Sequence, residues 1–284
     1  MNITVNRQND PAYELLLDDL ICEIFGFSFA PWFDQQLWDE RYESYSIIRD
    51  GKMTANACIY KSDLLINGQS IRAHQFGAIA TRKDQRGKGL SRLLIQHVLS
   101  LYPDTPAFLF ANPSVVDFYP RFGFSKTQTY RPGIAVTLNN SSDTDIAVKY
   151  RLDDDFVRKL LCRKRVYSKI VDSLNMQPIQ IFHLLLAYPE DIYYLPGCDT
   201  LVIAVQEGEK LFLADVVAQK PIAFDDLIEE LPFHGVKFIE FGFCPDWLGV
   251  NPCWEPIDGS KESFFIKGNL NFPELFRLPV TSVT

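Results

Sequence analysis

The stretch RKDQRGKGLSRLL, residues 82–94, sets five basic residues and two glycines between an apolar strand pattern, FGAIAT, and a leucine-striped helix pattern. A glycine loop that ends a strand and opens a helix fixes a strand–turn–helix unit. The helix start offers unpaired backbone N–H groups and a partial positive charge. Glycines let an anion approach the backbone closely, and Arg82, Lys83, Arg86, Lys88 and Arg92 add side-chain charge around the same point. The unit is either a cradle for a phosphate-bearing ligand or a solvated turn. Two familiar phosphate patterns fail on spacing. Gly89 follows Lys88 where a Walker loop needs Ser or Thr, and a dinucleotide loop would need glycine at Arg92.

The flanking pattern places this unit in a mixed α/β layout. Apolar residues Leu15, Leu16, Leu20, Ile21 and Ile24 recur at helical spacing over 13–25, and a shorter helix is expected over 33–41. Residues 45–81 read as three antiparallel strands turning at Asp50-Gly51 and Asn67-Gly68. After the loop, Leu90, Leu93, Leu94, Val98 and Leu101 form one helical stripe that ends before Pro103. AFLFAN is a strand. PSVVDFYPRFGF is a short helix with Asn112 as N-cap and Pro113 at its first position, cut short by Pro120.

A polar cluster over 139–145 predicts a domain boundary near residues 140–147, dividing the chain into 1–140 and 141–284. Beyond it, helices are expected over 153–173 and 177–187, then a hairpin about Glu207-Gly208, a helix in AFDDLIEEL, and strands in VKFIEFGF and SFFIKGN. This order echoes the first half and predicts a degenerate internal repeat.

The strand, the loop QRGKGL, the apolar helix and the downstream NPSVVDFYPRFGF together resemble the GNAT superfamily of acetyl-CoA-dependent N-acetyltransferases. Arg86, Gly89 and Ser91 fall on the fixed positions of that family's pyrophosphate loop, with Ser91 where Gly or Ala is usual. Asn112, Phe118, Tyr119, Gly123 and Phe124 meet its second signature. The resemblance implies a mostly antiparallel twisted sheet flanked by helices in 1–140, and a smaller, catalytically silent GNAT-like α/β domain in 141–284. In that second half ADVVAQKPIAFDDLIEEL has no glycine and sets Pro221 where the loop would be, so no pyrophosphate site is expected there.

The resemblance further implies acetyl-CoA as donor and no metal. Arg86, Gly87, Lys88, Gly89, Leu90, Ser91 and Asn112 would hold the cofactor, with the backbone at Ile79 and Ala80 facing the thioester and pantetheine arm. Tyr119 matches the family's general acid. For the base, the strand position that carries Glu in some members is Ala73, with His74 beside it. His74 titrates in a useful range. Asp18, Asp19 and Glu23 through water, and the carboxyl group at Thr284, are further candidates.

Net charge is −8, and residues 1–140 carry 14 basic and 14 acidic side chains against 14 and 22 in 141–284. An acidic surplus excludes the broad basic face of a nucleic-acid binder and favours a small cationic amine as acceptor, with a protein amine as the alternative. A CoA-binding or sensing protein without turnover is the rival function, and a homodimer is compatible with the resemblance. No apolar run reaches the about 20 residues that span a bilayer, and the amino terminus lacks a signal pattern, so a cytoplasmic protein is expected. The six scattered cysteines read as reduced, buried thiols and not as zinc ligands.

Overall fold

Both residues of Asp50-Gly51 have positive φ (50° and 72°), as do both of Asn67-Gly68 (51° and 74°). That geometry matches the right-handed twist of the flanking strands and fixes the two hairpins expected from the sequence. The computed structural model describes residues 2–6, 9–139, 147–152 and 155–284. The first elements in chain order are β1 (Thr4–Asn6), α1 (Pro11–Phe25), α2 (Ala30–Phe33), β2 (Tyr42–Arg49), β3 (Lys52–Ile66) and β4 (Gln69–Thr81). Next come α3 (Leu90–Leu101), β5 (Ala107–Ala111), β6 (Ser125–Thr127) and β7 (Tyr130–Asn139). Then follow β8 (Val148–Tyr150), α4 (Asp155–Cys162), β9 (Val171–Leu174), α5 (Gln177–Leu186), β10 (Ile192–Leu195) and β11 (Thr200–Glu207). The chain continues through β12 (Lys210–Ala218), α6 (Phe224–Glu230), β13 (His234–Phe241), β14 (Cys253–Pro256) and β15 (Ser263–Lys267).

Two mostly antiparallel sheets result, the mixed α/β class expected. The first runs β1-β2-β3-β4-β5-β15-β6, with β9 on β3 beyond the point where β2 ends. The second runs β14-β7-β13-β12-β11-β10-β8. Each sheet contains a parallel pair, β4 with β5 and β12 with β13. Parallel neighbours need a crossover connection, which α3 supplies in the first sheet and α6 in the second. The sheets also exchange strands: β15 lies between β5 and β6, and β7 between β14 and β13. Phe264 and Phe265 of β15 are each 1% exposed, so the exchanged strand is core to the first sheet. Residues 140–146, most of the expected linker, lie outside the described residues.

Alternate residues of β3 serve the two faces of the first sheet, as a period of two requires. Ala55, Ala57 and Ile59 pack under Leu90, Leu94, Ile95 and Val98 of α3. Cys58 and Tyr60 pack under Leu17, Leu20 and Ile21 of α1.

Several expectations are corrected. Leu15 is 74% exposed, because Tyr13 and Leu17 take the buried side of α1. The helix expected over 33–41 is the single turn α2, started by Pro31, after which the chain bends to stack Trp38 on Phe33. The short helix around Tyr119 is two 3-10 turns, Pro113–Val115 and Tyr119–Phe122, since Pro120 donates no N–H. The helix expected over 153–173 is confined to α4 in the described residues. Beyond it Lys164 is drawn into an ion pair with Asp215 (2.7 Å), and Val171–Leu174 fills the open edge of β3 at Asp63 to Ile66. Cys58, Cys198 and Cys244 are buried, but Cys22, Cys162 and Cys253 are exposed. Among the described residues no helix is long and apolar enough to cross a membrane.

Candidate active site

Parallel pairing of β4 with β5 covers only His74–Ala107, Gln75–Phe108 and Phe76–Leu109. Past Phe76 the strands part. On its other edge β4 carries a bulge: Gly77 pairs with Cys58 and Ala80 with Asn56, so Ala78 and Ile79 together oppose one residue of β3. Ala78 takes φ 47°, and its carbonyl accepts from Asn56 Nδ2 at 3.1 Å. A bulge re-aims the backbone at a strand edge. Here it lies on the wall of a cavity of about 250 Å³ lined by Phe76, Gly77, Ala78 and Ile79 of β4 and Leu109 and Phe110 of β5. Asn112, Val115 and Tyr119 close that side.

Tyr119 is 6% exposed, ringed by Phe118, Phe124 and Phe265 at centroid distances of 5.5, 6.3 and 5.7 Å. Burial pushes its phenol up to about 12, so it stays protonated through neutral pH. Asn112 caps the turn before it, its Oδ1 accepting from Ser114 N (3.0 Å) and Ser114 Oγ (2.8 Å).

At the carboxyl end of β4 the chain passes through the basic loop into α3. Gly87 and Gly89 have φ 77° and 73°, with nothing within 4 Å of where a Cβ would stand, so their backbone conformation is what calls for glycine. Gly89 caps α3 without a side-chain hydrogen bond, which leaves the first helical N–H groups free of a side-chain cap. Arg86, Gly87, Lys88 and Gly89 are exposed, whereas Leu90 is buried. Ser91 Oγ and Thr81 Oγ1, 2.6 Å apart, tie the helix start to β4. This donor set suits a pyrophosphate. Arg82 does not belong to it: its guanidinium is bound to Asp19, Glu23 and the carbonyl of Met53.

Apart from Thr284, the rest of the cavity was not foreseen from the sequence. Phe25, Phe27, Phe29, Trp32 and Tyr42 line it from the first half, and Ile179, Phe182 and Thr284 from the second. Trp32 Nε1 donates to the carbonyl of Pro178 (2.8 Å), docking α2 on α5. The run FGFSFAPWF, five aromatics in nine residues, was the available signal for this wall. Phe182 had none.

The segment reaching Thr284 is tied down along its length. Val280 N donates to Gly242 O (2.9 Å) and Thr281 Oγ1 to the buried Asp215 (2.6 Å). His183 Nε2 donates to Val283 O (2.5 Å). The Gln75 amide donates to Ser282 O (3.1 Å) and accepts from Thr284 N (2.6 Å). Gly77 admits this segment by close approach, since a Cβ there would stand 2.6 Å from Thr284 Oγ1.

Of the residues nominated from sequence, Ile79, Asn112, Tyr119 and Thr284 meet in the cavity lining, with Ala80 buried next to Ile79. His74 is elsewhere, its ring edge-on to Tyr102 at 4.4 Å beside the Glu43–Lys61 ion pair. Burial and the nearby Lys61 lower it to about 4, so it is neutral at pH 7. Asp18 accepts from Ser28 Oγ (3.0 Å) and Phe29 N (2.6 Å), and Asp19 and Glu23 hold Arg82. These carboxylates build the α1 end of the site without entering the lining.

Residues 18–127 match the family model described as an acetyltransferase (GNAT) domain. No curated protein matches the chain. Among solved structures, a conserved Enterococcus faecalis protein of unknown function, described as a probable N-acyltransferase, aligns with a TM-score of 0.61 at 13% identity over 94% of this chain and 72% of its own. Eis1 from Mycobacterium abscessus aligns with a TM-score of 0.56 at 16% identity, covering 93% and 73%. A GCN5-related N-acetyltransferase from Kribbella flavida aligns with a TM-score of 0.55 at 14% identity, covering 93% and 70%. At these identities the likeness is one of fold.

Proposed function

We propose, from the match of residues 18–127 to a GNAT acetyltransferase domain, that the chain transfers an acetyl group from acetyl-CoA to a primary amine by direct attack. The observation that carries this is the parting of β4 from β5 beyond Phe76, with Tyr119 on the cavity it opens and the glycine loop at the end of the same strand. One extended ligand lying along β4 can reach both.

Acetyl-CoA, when bound, supplies the activated acetyl thioester. Backbone N–H groups at the start of α3, with Arg86 and Lys88, hold the pyrophosphate. The backbone of the bulge at Ile79 donates to the thioester oxygen and stabilises negative charge there in the transition state. Tyr119 gives its phenolic proton to the departing sulfur as the C–S bond breaks. It regains one, through solvent, from the nitrogen that has formed the new C–N bond. The side chains of the lining carry no charge, which favours the amine in its neutral, nucleophilic form, so a solvent-derived neutral amine needs no side-chain base, and the carboxyl group nominated at Thr284 stands in the same lining.

Calorimetry with acetyl-CoA on wild type and Arg86→Glu tests the cofactor site: wild type binds and the variant is weakened about tenfold or more, the loss of one charge-assisted contact. Thiol release over an amine panel then separates transferase from a CoA-binding protein without turnover. Tyr119→Phe should lower kcat by about 10²-fold or more, as for loss of a general acid, with acetyl-CoA affinity retained. No binding by wild type, or unchanged turnover in Tyr119→Phe, overturns the corresponding assignment.

A further inference from the structure

The transferase reading leaves the body of the acceptor unnamed, and the far half of the cavity speaks to it. Phe29 meets Phe182 edge-on (5.3 Å, 85°), Phe27 meets Phe182 (6.2 Å, 64°), and Trp32 meets Phe29 (6.2 Å, 61°). Phe25 and Phe27 stay 44% and 41% exposed. Two half-exposed phenyl rings that also line a cavity mark a surface made to be covered by something apolar. Among the described lining residues no side chain is charged. The acidic groups nearest in sequence are already engaged, Asp18 with Ser28 and the Phe29 amide, Asp19 and Glu23 with Arg82. A polycation entering here would lose hydration with no side-chain carboxylate to receive it, and the carboxyl group nominated at Thr284 could meet only one of its charges. The volume of about 250 Å³ falls below the roughly 300–1,000 Å³ of pockets for drug-sized ligands, which favours a small acceptor.

Resting on the transferase reading, we infer that the acceptor is a primary amine carried on an aryl or similarly flat apolar body, such as an arylalkylamine. The ring-lined half takes that body edge-to-face, and the amine points toward Ile79 and Tyr119. The acidic surplus of residues 141–284, which favoured a small cationic acceptor from sequence alone, contributes no side chain to the lining.

The test measures thiol release from acetyl-CoA with 2-phenylethylamine and tryptamine against putrescine and spermidine. It uses wild type, Phe27→Ala and Phe27→Glu, each first checked for acetyl-CoA binding by calorimetry. Phe27 is half-exposed, so its truncation leaves the core filled. In wild type the aryl amines should exceed the polyamines in kcat/KM by about tenfold or more, the discrimination an apolar contact of this size gives. Phe27→Ala should raise KM for the aryl amines with acetyl-CoA affinity unchanged, and Phe27→Glu should narrow or reverse the order. Polyamines turned over as well as or better than aryl amines would overturn the inference while leaving the transferase reading intact. So would activity with octanoyl-CoA that aryl amines inhibit, since the rings would then serve the acyl chain. Failure of wild type to bind acetyl-CoA would overturn the transferase reading and this inference with it.

Discussion

Gly77→Ala probes the closest approach in the site. The added Cβ would stand 2.6 Å from Thr284 Oγ1, 3.0 Å from its Cβ and 3.2 Å from its carbonyl carbon. Carbon atoms pack best at about 3.5–4.0 Å, so Thr284 must retreat by about 0.5–1 Å. Gln75, at 2.6 Å from Thr284 N and 3.1 Å from Ser282 O, and His183, at 2.5 Å from Val283 O, oppose that retreat. Keeping these bonds and absorbing the strain costs about 1–3 kcal/mol. Releasing the segment forfeits three hydrogen bonds at about 0.5–1.5 kcal/mol each. The two routes are close, and the cheaper one sets a loss of about 2 kcal/mol, or about 3–4 °C in Tm for a chain of this size. A shift of that length at the cavity wall should lower acceptor kcat/KM by about 10–10²-fold. The dissociation constant for acetyl-CoA, set mainly at the glycine loop, should stay close to wild type. Thr284→Gly removes two of the three crowded atoms, so the double variant should recover about 1 kcal/mol relative to additivity. Thermal denaturation and steady-state kinetics on the four proteins of the cycle decide it. A Gly77→Ala protein as stable and active as wild type, or a loss unchanged by Thr284→Gly, would refute the close-approach reading.

Two further outcomes test the surrounding structure. Asp172, beside Lys164, Asp215 and Asp246, is raised from 3.8 to about 6, chiefly by burial. The folded state therefore binds an extra proton between about pH 4 and pH 6, and wild type loses about 3 kcal/mol as pH rises through that window. Asp172→Asn keeps an oxygen for Ser173 N, so urea denaturation should find it more stable than wild type at pH 7 and equal near pH 4; a difference independent of pH would count against the assignment. Separately, a chain cut after Asn139 lacks β15, and with it the 1%-exposed Phe264 and Phe265. That fragment should show no cooperative unfolding by near-ultraviolet circular dichroism, and a cooperatively folded fragment would contradict the strand exchange.

Local chemistry made much of this legible in the sequence. The Asp50-Gly51 and Asn67-Gly68 turns, the α3 helix, the Asn112 cap and the loop glycines each depend on backbone conformation or period within a few residues, and each is where its pattern put it, except that Leu93 and Leu101 of the α3 stripe are exposed and Ile95 is buried instead. Three misreadings share one cause, which is long-range partnership. Val171–Leu174 is strand because β3 outruns β2 and leaves an edge to fill. The charged run 163–165 does not continue α4, because Lys164 has a buried partner in Asp215 fifty-one residues on. His74 was a plausible base by type and position. Only the packed ring of Tyr102 reveals that it lies outside the cavity lining.

The same division separates the two halves of the site. The loop, the bulge and Tyr119 come from one contiguous stretch of chain and need only the first sheet's local geometry. The remaining wall is assembled from a distance: Ile179 and Phe182 arrive on α5, Thr284 on a segment that leaves Gly242 in the second sheet and ends against Gly77 in the first. Even Tyr119 rests on Phe265 of an exchanged strand. The second half, with Pro221 before the acidic first turn of α6, is therefore not a passenger, since it supplies this wall of the cavity. It follows that substitutions in residues 86–91 should act through acetyl-CoA, and those at Phe182, His183 or Thr281 through the acceptor. The two sets should separate as effects on different Michaelis constants.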